Sequence, residues 1–127
     1  MAEGEMSEKS IPKEPFYSTT RRAGDTLYLS GFGPVDQGLN VVGQDITEQT
    51  RFTMQAMVRA LESEGATTAQ MVRVNVFLLN MEDRDGFNHA YMEFFADGPM
   101  PTRRLIGAGD LYKGILVEID GIAWLGV

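Results

Sequence analysis

From Ile115 to Leu125 the chain alternates with a period of two. Ile115, Val117, Ile119, Gly121 and Ala123 fall on one side, and Leu116, Glu118, Asp120, Ile122 and Trp124 on the other. That pattern reads as a strand with one apolar face and one face that sets two carboxylates among large apolar groups. Just upstream, a strand from about Thr102 to Ala108 puts Arg103 and Arg104 side by side among small and apolar residues. Successive strand residues point to opposite faces, so the two arginines cannot enter one pocket. An arginine and a glutamate on neighbouring, half-buried strands are either an ion pair or a site for an anionic substrate.

The rest of the chain supplies what these strands pack on. Phe16 to Arg22 and Thr26 to Phe32 read as a hairpin turning at Ala23-Gly24-Asp25, and Gly33-Pro34 ends it. A short extra hairpin is expected around Gln37-Gly38. Asp45-Ile46-Thr47-Glu48 has the form of a capping box that opens a helix to about Glu64, with Phe52, Ala56, Met57, Ala60 and Leu61 as its inward stripe and Gly65 as its stop. Met71 to Asn80 is a third strand. Asp83 caps a second helix to about Ala96, with Phe87, Ala90, Tyr91, Phe94 and Phe95 inward, and Asp97-Gly98-Pro99 breaks it.

The order β-β-α-β-α-β-β predicts an α+β fold: a single mixed β-sheet with two helices packed on one face. Two helices leave the other face bare, including Glu118, Ile122 and Trp124. A bare apolar face usually marks an interface, so the pattern points to a homo-oligomer with polar groups trapped near the contact.

At 127 residues the chain is long enough for one core. Residues 1–15 are charged and read as a flexible arm, and residues 16–127 as a single domain. No stretch approaches the ~20 apolar residues that span a membrane, and the N-terminus lacks a signal-peptide core. Cysteine is absent, which removes disulfides, thiolate nucleophiles and thiolate metal sites and is compatible with a cytoplasmic location. One histidine, His89, rules out a multi-histidine metal site, so no metal is expected. A formal charge of −7 without a basic-aromatic stripe argues against nucleic acid as a partner.

Four segments carry a resemblance over nearly the whole domain. They are Tyr17 with Leu27-Tyr28-Leu29-Ser30-Gly31 and Gly33-Pro34; Asp45 to Thr50; Phe87-Asn88-His89-Ala90-Tyr91 through Phe94-Phe95; and Pro101-Thr102-Arg103 with Leu111-Tyr112-Lys113-Gly114 and Val117 to Ala123. In this order and spacing the chain resembles the Rid/YjgF family of reactive intermediate deaminases. The resemblance implies a chorismate-mutase-like homotrimer with sites at subunit junctions. It also implies cofactor-independent hydrolysis of short 2-enamino or 2-imino acids to 2-oxo acids and ammonia. Arg103 matches the arginine that holds the substrate carboxylate and Glu118 the glutamate that handles water. Tyr17, Ser30, Gly31 and Asn88 fall on substrate-binding positions, and Leu105 can offer its backbone N–H. Asp120 matches the second acidic position of the last strand.

The chain departs from the family pattern at Phe32, where glutamine is common, at Arg104, at Leu105, where cysteine is frequent, and at Tyr112, where proline is common. Gly107 and Gly109 replace larger residues. All of these bear on pocket size. The chemistry itself needs a held carboxylate, a delivered water and a proton for the leaving nitrogen, and an arginine with a carboxylate base covers these tasks. Two alternatives remain. One is a deaminase of a larger aminomuconate-type diacid, for which Gly107 and Gly109 make room and Arg104 adds anion affinity. The other is a non-catalytic module that binds or senses a small 2-oxo acid and needs Arg103 but not Glu118.

Overall fold

The computed structural model describes residues 16–96 and 98–126. The expected N-terminal arm and Asp97 lie outside them. Five strands form one sheet in the order β1-β2-β5-β3-β4, with β1 Thr20–Ala23, β2 Thr26–Phe32, β3 Met71–Leu78, β4 Thr102–Gly107 and β5 Val117–Trp124. All pairs are antiparallel except β3 with β4, which are parallel. Helix α1 spans Ile46–Ser63 and α2 spans Arg84–Met92. The expected α+β class and mixed sheet are what the fold has. The first strand begins at Thr20, so Phe16 and Tyr17 precede it. The extra hairpin expected around Gln37-Gly38 is present in minimal form, as an antiparallel bridge that joins Val35 to Val41 across that turn.

Alternation sorts β5 as read. Ile115, Val117, Ile119, Gly121 and Ala123 are buried under the helices, while Glu118, Asp120 and Ile122 are half-buried and Trp124 is exposed on the opposite, open face. Leu116 is the exception. It precedes the strand and packs against the core. Leu27 and Leu29 of β2 and Val74, Val76 and Leu78 of β3 complete the sheet side of the core, against Met54, Met57 and Leu61 of α1 and Phe87 and Tyr91 of α2. Tyr28, Trp124 and Ile106 remain more than two-fifths exposed on the open face.

The α1 stripe is rotated from the expected one. Gln49, Thr50, Thr53, Met54, Met57 and Leu61 are buried, whereas Phe52 and Ala56 are only half-buried. Thr53 and Gln49 can turn inward because backbone groups beside them satisfy their hydrogen bonds, whereas the buried Thr50 Oγ1 has no partner. Thr53 Oγ1 donates to the Gln49 carbonyl at 2.8 Å. The Gln49 side chain donates to the Gly43 carbonyl and accepts from the Leu116 N–H, tying the loop before α1 to the chain entering β5. Asp45 caps Glu48 N–H at 2.9 Å as expected, but Glu48 reaches back to the Gln44 N–H and not to that of Asp45.

Strands β4 and β5 are not neighbours. Strand β3, buried along one whole side, pairs with both and lies between them. The reason is the crossover: α2 carries the chain from β3 to a parallel partner, which takes the outer edge, and residues 108–116 bring β5 back across to the free side of β3.

Gly121 pairs with Val74 of β3, just before the irregularity between Met71 and Arg73 that faces Ile122 and Ala123. A Cβ there would lie 2.5 Å from Met71 Cε and 2.7 Å from the Arg73 carbonyl oxygen, and the latter is backbone that cannot step aside. Gly121→Ala is expected to cost about 1–3 kcal/mol in urea unfolding. Gly109→Ala, whose Cβ would meet nothing within 4 Å, should stay within about 0.5 kcal/mol of the parent. Equal stabilities for the two variants would contradict this packing.

Candidate active site

Arg103 stands on β4 opposite Val74 of β3, on the helix side of the sheet edge. Its guanidinium carbon lies 5.2 Å from the centroid of the Tyr91 ring and 5.7 Å from that of Phe87. Those two rings stack at 5.2 Å, one helical turn apart on α2. Among the described residues Arg103 has no carboxylate partner, so aromatic faces hold a half-buried cation whose N–H fork is unpaired. A planar fork of this kind matches a carboxylate through two parallel hydrogen bonds.

The cleft beside it holds about 350 Å³ and is lined by Asn88, Tyr91, Met92, Met100 and Pro101 together with Arg103. Asn88 Oδ1 and the Tyr91 hydroxyl are buried and have no hydrogen-bond partner. Buried polar atoms are usually paired, and unpaired ones call for a ligand or a water. Burial pushes the Tyr91 phenol up to about 12 against the opposing pull of Arg103, so it keeps its proton at neutral pH. Leu105 follows on the same strand. The Ala108 N–H donates to the Leu78 carbonyl of β3. Peptide groups alternate in direction along a strand, which turns the Leu105 N–H outward to the free sheet edge.

Glu118 belongs to a second cluster. It is half-buried on the open face, and it makes no hydrogen bond or ion pair among the described residues. Burial first, and the Asp120 charge second, raise its carboxyl above the ordinary glutamate value. A Cβ on Gly31 would come within 2.5 Å of Glu118 Oε2, so only glycine lets the carboxylate lie against β2. Alternation along β2 places Ser30 on this same face, and its backbone N–H donates to the Thr19 carbonyl. Asp120 accepts from Asn75 Nδ2 at 2.7 Å, a structural role. Tyr17 is exposed just ahead of β1.

The two clusters do not meet within one chain. Arg103 and Glu118 lie on opposite faces, with β3 between their strands, a lateral separation of about 10 Å before the thickness of the sheet is added. This corrects the expectation that Arg103 and Glu118 stand on neighbouring strands, and with it an ion pair between them within one chain. Arg104, opposite Asn75, is the arginine on the open face. It does not line the Arg103 cleft, and neither do Gly107 and Gly109. His89 is exposed, and Phe32 packs against the core. Tyr91, read from its spacing as plain core, also lines this cleft, which that reading missed. Its only sequence signal is a polar tip one turn from Phe87 and three residues after Asn88.

A family model described as Endoribonuclease L-PSP matches residues 8–125. A 2-iminobutanoate/2-iminopropanoate deaminase of Dermatophagoides farinae is 33% identical over 129 residues, covering 92% of this chain and 97% of its own. The protein mmf2, mitochondrial, of Schizosaccharomyces pombe is 34% identical over 110 residues, covering 84% and 86%. Among solved structures, YyfA of Yersinia pestis, from the conserved Rid protein family, superposes with a TM-score of 0.84 at 28% identity over 94% of this chain and 95% of that one.

A carboxyl whose folded-state value is raised contributes stability that is fully present below its unfolded value and lost as pH rises through the folded one. Ionised Glu118 therefore opposes folding at neutral pH. Glu118→Gln should melt higher than the parent at neutral pH, and the gain should fade as pH falls below about 4, the ordinary glutamate value, where the carboxyl is protonated in the folded and unfolded chain alike. Melting curves at the two pH values check this, and a gain that persists at low pH would contradict the assignment.

Proposed function

We propose that this chain, which belongs to the YjgF/Rid family, is a hydrolytic deaminase that converts short 2-imino acids, and the 2-enamino acids that tautomerise to them, to 2-oxo acids and ammonia. The observation that carries the reading is the half-buried Arg103 guanidinium at the wall of a cleft, held by aromatic faces and with its fork unpaired among the described residues. The name of the Dermatophagoides farinae relative supports the same substrate class. The cleft favours a monocarboxylate over a diacid, because Arg103 is the one cation among its lining residues and Met92, Met100 and Pro101 form its apolar wall.

In this mechanism Arg103 and the outward Leu105 N–H hold the substrate carboxylate, and Asn88 Oδ1 accepts from the iminium N–H. Glu118 then comes from a second copy, because a chain's own Glu118 faces away from its own cleft. Glu118 takes a proton from water while the water oxygen bonds to C2 and the C=N π pair moves to nitrogen. The protonated carboxyl returns its proton to the nitrogen. Glu118 then takes the remaining hydroxyl proton as the carbonyl forms and the C–N pair leaves with ammonia, which carries that proton away as ammonium. A base raised above the ordinary carboxylate value is better matched to taking and returning this proton.

Covering the open face demands the same second copy. Burying a large apolar side chain is worth roughly 1.5–3 kcal/mol, and Tyr28, Trp124 and Ile106 are only partly covered in one chain. A closed ring of three, as the resemblance implies, would cover the face and bring a Glu118–Gly31–Ser30 wall, with Tyr17 at its rim, against each Arg103 cleft.

Imino acids generated in situ by a pyridoxal-phosphate enzyme provide the assay. Arg103→Lys keeps the charge and loses the fork, and kcat/KM should fall at least about tenfold. Glu118→Gln should cut turnover by about a hundredfold while 2-oxobutanoate still binds. A wild type that binds the oxo acid but never turns over an imine would leave only the anion-binding reading. The shared site has its own test. Arg103→Ala and Glu118→Ala subunits, each inactive alone, should regain up to about a quarter of wild-type activity when mixed equally after mild dissociation, because one junction in four then has both walls intact. No recovery in verified mixed oligomers would place both residues on one chain's site and overturn the assignment.

A further inference from the structure

A flexible arginine on an edge strand is ordinarily fixed by a carboxylate. Such a partner would occupy the N–H fork and cancel the charge a substrate anion needs. In this fold the fixing is done differently. Phe87, Tyr91 and Phe95 recur on one side of α2 and its C-terminal extension, with ring centroids 5.2 Å and then 4.6 Å apart. All three are buried, Phe87 and Tyr91 almost wholly, so the ladder of rings is packed from behind and cannot swing. Arg103 lies over the first two rings, closer to Tyr91, the middle of the three, than to Phe87. The face of an aromatic ring attracts a cation without accepting any of its N–H groups in the plane of the fork.

We propose that Tyr91, backed by Phe87, is a positioning residue of the carboxylate site: its ring face sets the plane of the Arg103 guanidinium and keeps the fork directed at the cleft. The claim rests on the deaminase reading only in naming the anion. It assigns the role to the ring and not to the hydroxyl, which is buried and has no partner. A purely structural Tyr91 would influence stability, whereas a positioning Tyr91 influences the affinity of Arg103 for an anion through the electron density of its face.

The test is calorimetric binding of 2-oxobutanoate to the full-length protein, with KM and kcat on the imino acid measured beside it. Tyr91→Leu should weaken binding and raise KM at least about tenfold, a loss of 1.4 kcal/mol, while kcat changes much less. The conservative Tyr91→Phe should restore affinity to within about twofold of wild type. If Tyr91→Leu does not fold, pentafluorophenylalanine installed at position 91 takes its place. It keeps the shape of the ring and reverses the charge of its face, and it should weaken binding while leaving the melting temperature near that of Tyr91→Phe. Affinity untouched by loss or reversal of the ring face would overturn the proposal, as would equal losses for Tyr91→Phe and Tyr91→Leu. If wild type does not bind 2-oxobutanoate, the deaminase reading fails, and the positioning claim is then decided by NMR. Ring-current upfield shifts of the Arg103 Hδ protons should be present in wild type and lost in Tyr91→Leu; their absence in wild type, or their persistence in the variant, would sink it.

Discussion

Everything in this fold depends on which side of the sheet the helices cover. With α1 and α2 both on one face, each strand residue is committed by parity to the core or to the open face. A shift of one residue in β5 would put Glu118 and Asp120 under the helices, where neither has a partner, and expose Val117 and Ile119. The cost of burying two carboxylates fixes the register more firmly than the apolar contacts alone. The same parity places Arg103 with the helices and Arg104 away from them, so the chemistry of the cleft follows from a packing rule.

That dependence explains what could be read in advance. Alternation in β5 was legible because its apolar side is unbroken, and the division of Arg103 from Arg104 followed from adjacency alone. The order of the strands was not legible. Short connections usually join neighbours, and nothing in residues 108–116 announces that β5 crosses β3 to reach β2. Once that order is wrong, Arg103 and Glu118 look like partners. The α1 stripe was misjudged for a local reason: Thr50, Thr53 and Gln49 count as polar in any periodicity, yet Thr53 and Gln49 find their hydrogen bonds in nearby backbone. Tyr91 was hidden by the opposite error. Its spacing is that of a core residue, and it is one, but its ring face also borders the cleft.

The contrast between the two acidic residues of β5 shows how environment separates roles. Asp120 is engaged by Asn75 across the β3 pairing, whereas Glu118, two residues away, is left unpaired beside a glycine and carries the raised carboxyl. The carboxylate without a hydrogen-bond partner is the one available to water. A cation held by rings and an anion without a hydrogen-bond partner among the described residues are both costly arrangements in a single chain, and the proposed substrate and second copy are what would complete them.

The cleft and the glutamate wall differ in how the chain reaches them. Phe87, Asn88, Tyr91 and Arg103 sit within one β3-α2-β4 unit, a single contiguous stretch. Gly31 and Glu118 come from opposite ends of the described chain and meet only when β5 inserts between β2 and β3. Closure entropy grows by about 0.6 kcal/mol for each doubling of the loop, and the second contact closes a loop longer by between two and three doublings, about 1.5 kcal/mol. The arginine wall is thus a local product of folding and the glutamate wall a late, global one. A nascent chain still lacking its final strand would already contain every residue that lines the Arg103 cleft but not the Glu118 of the other wall.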